Sequence, residues 1–256
     1  MGELIQFQHV SQFFAVRDST PTQALNEVSL DVRAGEFVCL IGPSGCGKTT
    51  LMHLLAGFVK PTAGAVRFRG EPVRGPGPER GVVFQEYALF PWMTARQNVE
   101  FGLRALKVDA GERKRRALQA LERVHLSHAA DRYPNELSGG MRQRIAVARS
   151  LVVEPQVLLM DEPFAAVDAM TRASLQNDLL RLWQEIGVSV LFVTHHIDEA
   201  IFLAQRVVVM AAHPGSVRAD IAIELPYPRQ RGSLEFAQHY AEIESALAEG
   251  YERRAG

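Results

Sequence analysis

Apolar positions along this chain follow two rhythms, one of period two and one near 3.6. Leu4 to Val10 alternates roughly, and Ala24–Val32 contains a second alternating run; both predict strands. Phe37-Val38-Cys39-Leu40-Ile41 is an apolar β-prone segment, and Thr50–Ala56 is helix-prone and closed by Gly57. Ala65–Arg69 reads as a strand ended by Gly70, and Gly81–Phe84 as a buried strand. Between them, Glu71 to Glu79 carries Pro72, Pro76 and Pro78 and reads as loop. From Thr94 to about Leu126 the pattern is helical, with Thr94 as N-cap and Leu118, Leu121 and Val124 on one apolar face. Further helices are predicted at Gly140–Val153, Met170–Ile186 and Ile197–Ala204, and strands at Val157–Met160, Ser189–Val193 and Arg206–Met210. Ser233–Arg254 reads as a polar helix.

Strands alternating with helices imply a largely parallel α/β sheet, and the strand-free stretch Thr94–Arg149 looks like a helical insertion. The chain has 256 residues, enough for one large domain or one domain with an inserted subdomain. Its 47% hydrophobic and 22% charged residues are ordinary for a globular protein, and a net charge of −1 gives no global argument for nucleic acid. No apolar run approaches the roughly 18–20 residues that span a bilayer. Met1–Gln6 lacks the basic-then-apolar pattern of a signal peptide. The two cysteines, Cys39 and Cys46, make a disulfide framework implausible and fit a reduced, cytoplasmic setting. The charged run Glu112–Arg116 is expected to be a solvated helix face.

The chemistry concentrates first at Gly42-Pro43-Ser44-Gly45-Cys46-Gly47-Lys48-Thr49, which fits G-x-x-x-x-G-K-S/T between a strand and a helix. Glycines let the backbone turn several N–H groups onto one phosphate, and the helix start adds unpaired donors and partial positive charge. Lys48 supplies a full charge to the β- and γ-phosphates, and the Thr49 hydroxyl suits Mg²⁺, a hard ion that prefers oxygen.

A second anion-binding helix start is Leu137-Ser138-Gly139-Gly140-Met141-Arg142-Gln143. It precedes Val157-Leu158-Leu159-Met160-Asp161-Glu162, which places two carboxylates at the C-terminal edge of a sheet, where ligands of such sheets bind. Asp161 can hold Mg²⁺ and Glu162 can act as general base on an attacking water.

With these motifs in this order, the chain resembles the nucleotide-binding subunit of ATP-binding-cassette (ABC) transporters over nearly its whole length. The resemblance implies an α/β fold: a P-loop NTPase core of the ABC-ATPase type with an N-terminal antiparallel β subdomain and an inserted α-helical subdomain. The expected division is a core over 1–90 and 155–225, a helical subdomain over 91–154 and a C-terminal tail over 226–256. It assigns ATP binding to Gly42, Pro43, Ser44, Gly45, Cys46, Gly47, Lys48, Thr49 and Thr50, and catalysis to Glu162, His195 and Gln85. Mg²⁺ would be held by Thr49, Gln85 and Asp161. Phe14 matches the aromatic that stacks on adenine; Phe13 is a near alternative, and a core role for the phenylalanine is another. Leu137, Ser138, Gly139, Gly140 and Gln143 match the signature that acts in trans, and Asp168 matches the D-loop aspartate. The chain departs from the family pattern at Val167, where leucine is usual, and at His196, where many relatives have aspartate.

The resemblance further implies an ATP hydrolase coupled to transport. Two subunits pair head to tail around two ATP molecules and dock on two transmembrane permease subunits. That assembly sits at the cytoplasmic face of the bacterial inner membrane and is served by a periplasmic or lipid-anchored binding protein. Tyr87–Trp92 is the expected docking segment, with core packing of Phe90 and Trp92 as the alternative. Gly75–Gln85, Leu89–Trp92 and Asp161–Phe164 look like the nitrate/sulfonate/taurine import branch, so the expected cargo is taurine, an alkanesulfonate, nitrate or a similar small anion. A P-loop small-molecule kinase and a soluble, non-transport ABC ATPase are the rival readings. The kinase has no use for Leu137–Gly140, and the soluble ATPases usually carry two cassettes or long coiled coils.

Overall fold

The computed structural model describes residues 2–15 and 20–252. In chain order the elements are β1 (Glu3–Phe14), β2 (Thr22–Arg33), β3 (Phe37–Ile41), α1 (Lys48–Ala56), β4 (Ala63–Phe68), β5 (Glu71–Pro72) and β6 (Arg80–Val83). They continue as α2 (Ala95–Ala105), α3 (Ala110–Arg123), α4 (Gly139–Leu151), β7 (Val157–Asp161), α5 (Ala169–Ile186) and β8 (Ser189–Thr194). The last are α6 (Ile197–Leu203), β9 (Arg206–Ala211), β10 (Ser216–Ala222) and α7 (Leu234–Glu252). The chain forms two compact units, Met1–Gly77 with Ser189–Gly256, and Pro78–Val188.

The first unit contains a four-stranded antiparallel sheet in the order β2-β1-β4-β5. Ile5, Phe7 and Val10 of β1 are buried with Val28, Leu30 and Val32 of β2, as their alternation predicts. In the same unit β3 pairs in parallel with both β8 and β9, and β10 adds antiparallel to β9. Every residue of β3 and β8 is buried. Strands covered on both faces read as unbroken apolar runs, which is why alternation is absent there. Phe37 and Phe192 pack across this sheet with ring centroids 5.9 Å apart.

The second unit pairs β6 and β7 in parallel, from Arg80↔Val157 to Val83↔Met160. Around it are α2 to α5. Thr94 caps α2 as expected, closing a capping box with Gln97. The single helix expected over Thr94–Leu126 is two: the chain breaks after Ala105, turns at Lys107 in the left-handed region, and restarts at Asp109, whose carboxylate accepts from the amides of Gly111 and Glu112. The apolar face of α3 also differs from the expectation. Ala117, Ala120 and Leu121 are buried with Val124, while Leu118 is exposed. The spacing i, i+3, i+4, i+7 is the helical stripe, and small alanines serve it as well as leucines. α7 matches the expected C-terminal helix as far as Glu252; Arg253 and Arg254 lie outside the described residues. Among the described residues no helix is long and apolar enough to cross a membrane.

Candidate functional site

In the first unit β3 runs into the glycine loop, and α1 begins at Lys48. The helix has no side-chain cap; its N-cap is Gly47, at φ 92°. A Cβ there would lie 2.3 Å from Leu25 Cδ2, so the position takes only glycine for both backbone and space. Uncapped N–H groups at a helix start with a partial positive charge form an anion cradle. Lys48 is 7% exposed. Its ammonium donates to the carbonyl oxygens of Gly42 at 2.7 Å and Pro43 at 3.1 Å, and reaches Cys46 Sγ at 3.5 Å. The loop thus wraps the lysine and fixes its charge at the mouth of α1. Ser44, Gly45 and Thr49 are exposed, and Pro43, Gly47 and Thr50 half-buried. Cys46 is buried, and burial raises its thiol pKa despite the nearby Lys48 charge.

Gly215, in the turn between β9 and β10, braces this loop and was not legible in the sequence. Its N–H donates to Ala24 at 3.0 Å, its carbonyl accepts from Asn26 at 2.8 Å, and a Cβ on it would stand 2.2 Å from the Cys46 carbonyl oxygen. β10 was not among the expected strands, although Val217, Ala219 and Ile221 alternate with Arg218 and Asp220 as a half-exposed strand should. In the same unit Thr194, the last residue of β8, is the ladder partner of Ile41, the last of β3. His195 therefore follows the strand at the edge where the P-loop begins. It is exposed, and its ring lies 4.1 Å from that of His196. Phe13 and Phe14 are both exposed at the end of β1, which corrects the core alternative for this aromatic.

The second unit holds the remaining candidates. Gln85 is exposed just beyond β6. Asp161 closes β7, and Glu162 follows at φ 42°, a left-handed conformation that costs a non-glycine residue about 1–2 kcal/mol. Asp168 caps α5 by accepting from the Thr171 amide at 3.0 Å; the Thr171 hydroxyl and amide together lower its pKa. Val167, the departure from the family pattern, is buried beneath this cap, and its carbonyl accepts from Arg172.

Ser138 caps α4, its hydroxyl accepting from the Met141 amide at 3.3 Å. Ser138 is exposed and Gly139 half-exposed, but Leu137, Gly140 and Gln143 are buried. Of the five residues expected to act in trans, Leu137 and Gln143 have side chains buried within the protein. Gln143 at i+5 from Ser138 falls on the opposite face of the helix. The segment Tyr87–Trp92 carries its aromatics outward in part: Trp92 is 69% exposed, so the core-packing alternative does not hold for it. Phe90 stacks between Trp92, at 5.6 Å, and Phe101, at 4.5 Å.

The structure thus gathers the P-loop, His195 and the brace from Gly215 in one unit. Gln85, Asp161, Glu162, the Ser138 helix start and Asp168 gather in the other.

Known proteins resemble this chain in sequence and in fold. The family model described as ABC transporter matches residues 25–165. A nitrate import ATP-binding protein, NrtD, of Synechococcus elongatus is 43% identical over 91% of this chain and 86% of its own length. The NrtD of Synechocystis is 49% identical over 79% of this chain and 76% of its own. An uncharacterized ABC transporter ATP-binding protein of Methanocaldococcus jannaschii is 48% identical over 88% of this chain and 84% of its own. Among solved structures, a dimeric ATP-binding cassette in a post-hydrolysis state with ADP and Pi has a TM-score of 0.76 at 31% identity, covering 87% of this chain and all of that one. The cbiO1 subunit of Clostridium perfringens, part of the transporter complex cbiONQ, has a TM-score of 0.78 at 26% identity, covering 98% of this chain and 99% of its own. The chain belongs to the ABC transporter family, with the fold of its ATPase cassettes and their ATP hydrolysis coupled to transport.

Proposed function

We propose that this chain drives import of a small anion of the nitrate or sulfonate type, working as a head-to-tail pair bound to two permease subunits at the inner face of a bacterial membrane. The observation that carries the reading is the presence, in one chain, of a P-loop wrapped around Lys48 and an exposed Ser138 at the start of α4. The P-loop cradles the phosphates of ATP, and Ser138 and Gly139 of a second copy close over the γ-phosphate. Glu162 takes a proton from the attacking water, His195 contacts the γ-phosphate, and Asp168 lies at the paired face. Phe14 or Phe13 stacks on adenine.

Among the described residues there is no cluster of three or more His, Cys, Asp or Glu able to hold a metal. Mg²⁺ does not require one: it keeps several waters and takes few protein oxygens beside those of a bound nucleotide. The donors expected here, the Thr49 hydroxyl, the Gln85 side chain and the Asp161 carboxylate, are oxygens that fit it. When bound it would neutralise charge on the phosphates.

Trp92 and Phe90 offer an aromatic face to a permease segment. Nitrate as cargo is supported by the import function named for NrtD; the sulfonate option rests on the residues before Gln85. The carboxamide substitution Glu162→Gln tests the hydrolytic reading. The variant is expected to bind ATP and pair in its presence, yet to lose about 10²–10⁴-fold in turnover. Normal turnover would remove Glu162 from its role, and absence of ATP-driven pairing would favour the kinase reading.

A further inference from the structure

Thr194 is 1% exposed and Glu199, in the first turn of α6, is 2% exposed. Thr194 Oγ1 donates to Glu199 Oε2 and itself accepts from the His196 amide at 3.1 Å. A hydroxyl has one proton, and the His196 amide can only donate. The proton must therefore point at the carboxylate, and the oxygen's lone pair at His196. The far side of the turn is closed as well, since the His196 carbonyl accepts from the Ala200 amide at 3.1 Å. Upstream, Thr194 is held in the β ladder opposite Ile41, one residue before Gly42. His195 is thus the one residue between two fixed points, its imidazole exposed beside the start of the P-loop.

Helix-start carboxylates are usually content in water, where they favour the helix dipole. Asp198, one residue earlier on α6, is such a group and is exposed. Glu199 is instead buried, and burying a carboxylate is unfavourable unless hydrogen bonds repay it. Its burial is explained if the acceptor is needed where it stands. We propose that Thr194 and Glu199 form a latch that positions His195 for ATP hydrolysis. Both are positioning residues, acting on the reaction through His195. The inference rests on the reading of His195 as the γ-phosphate contact given above.

The latch separates turnover from binding, because the P-loop that holds ATP lies on its own strand and helix. Thr194→Val keeps the β-branched shape and removes the hydroxyl. Glu199→Leu removes the acceptor without leaving a buried charge. Each is expected to lower kcat about 10- to 100-fold, the range seen when a group that orients a reactive side chain is lost, with KM for ATP within about threefold. Thr194→Ser, which keeps the hydroxyl, is expected to stay within about threefold of the parent. The deciding readout is a double-mutant cycle. In a His195→Ala background, Thr194→Val should give no further loss, since the residue it acts through is gone. A residue that merely supports the fold would still subtract its own effect.

Normal kcat in both Thr194→Val and Glu199→Leu, or an additive loss in the His195→Ala background, overturns the latch while leaving His195 in place. Normal turnover in His195→Ala alone overturns the role of His195 and the latch with it.

Discussion

Arg149 Nη2 donates to the carbonyl oxygen of Tyr87 at 2.9 Å, and its other terminal nitrogen donates to that of Ala88. One guanidinium on α4 therefore grips two consecutive carbonyls of the segment that follows Gln85. Both residues it grips are in the left-handed region, Tyr87 at φ 61° and Ala88 at φ 47°. Non-glycine residues persist there only when their surroundings hold them. The Tyr87 ring in turn lies under the start of α4, with Arg142 5.7 Å from its centroid. The segment and α4 are joined at two points.

Arg149→Lys should loosen this join. Lysine keeps the charge but is a point donor and cannot match two carbonyls with a planar fork. Burial already lowers the Arg149 pKa from its ordinary value, a sign that the guanidinium is partly withdrawn from water. The expected result is a loss of about 1–3 kcal/mol in thermal unfolding and faster amide exchange over 86–90. Unchanged exchange in that segment would show that the strained turn holds itself.

Gly139 and Gly140 should behave differently when changed to alanine. A Cβ at Gly139 would meet Tyr87 Oη at 3.4 Å and Val167 Cγ1 at 3.7 Å, ordinary contacts. At Gly140 it would lie 2.6 Å from Thr171 Cγ2, a β-branched side chain with little room to yield. Gly140→Ala is expected to lose about 1–3 kcal/mol of stability. Gly139→Ala should match the parent in melting temperature, yet hydrolyse ATP poorly, because in the proposed pair the added methyl stands on the face offered to a second copy. Full turnover in Gly139→Ala would remove that face from the paired site.

These contrasts show what the sequence could and could not say. The P-loop is local: its glycines, lysine and flanking elements lie within one stretch, and the phosphate chemistry follows from residue types. Asp161-Glu162 was legible for the same reason, since a buried strand ends in charge. The break at Lys107 was harder, because Leu106 and Val108 continue the apolar pattern across it; the one local mark is Asp109, which caps the second helix. Gly215, Glu199 and Arg149 act through partners far away in sequence or through burial, which single-chain patterning does not carry. Leu137 and Gln143 sit inside a motif that marks a surface, yet their side chains turn inward.

Asn98 offers a test of how the aromatic segment is held. It is fully buried on α2; its amide nitrogen donates to the carbonyls of Phe90, Met93 and Thr94, and its oxygen accepts from the Phe90 amide at 2.8 Å. No other side chain of this size offers donors and an acceptor in that geometry, so Asn98→Asp should fail nearly as fully as Asn98→Ala. Each is expected to lose about 1–3 kcal/mol, since a buried network that ties Met93 and Phe90 to α2 is broken, while the Phe90 and Thr94 carbonyls keep their backbone partners. The aromatic pair Phe90–Trp92 is then released, and Trp92 fluorescence should report it. Unaltered emission from a destabilised Asn98→Ala variant would separate the helix from the presentation of Trp92.

Asp168 gives the site a predictable acid response. The Thr171 hydroxyl, and then its amide, lower the carboxyl's pKa from its ordinary value of 3.8. A carboxylate with a lowered folded pKa binds its proton more readily when the chain is unfolded. Its contribution to stability is therefore complete above the ordinary carboxylate range and is lost as pH falls through the lower, folded value. Asp168→Asn keeps a good helix cap but does not titrate. The melting temperatures of parent and variant should differ by a constant amount above about pH 5 and draw together below it, as the parent's carboxylate is protonated. Measured from pH 7 down to the acid limit of the fold, two parallel curves would mean that Asp168 caps α5 without its charge being felt.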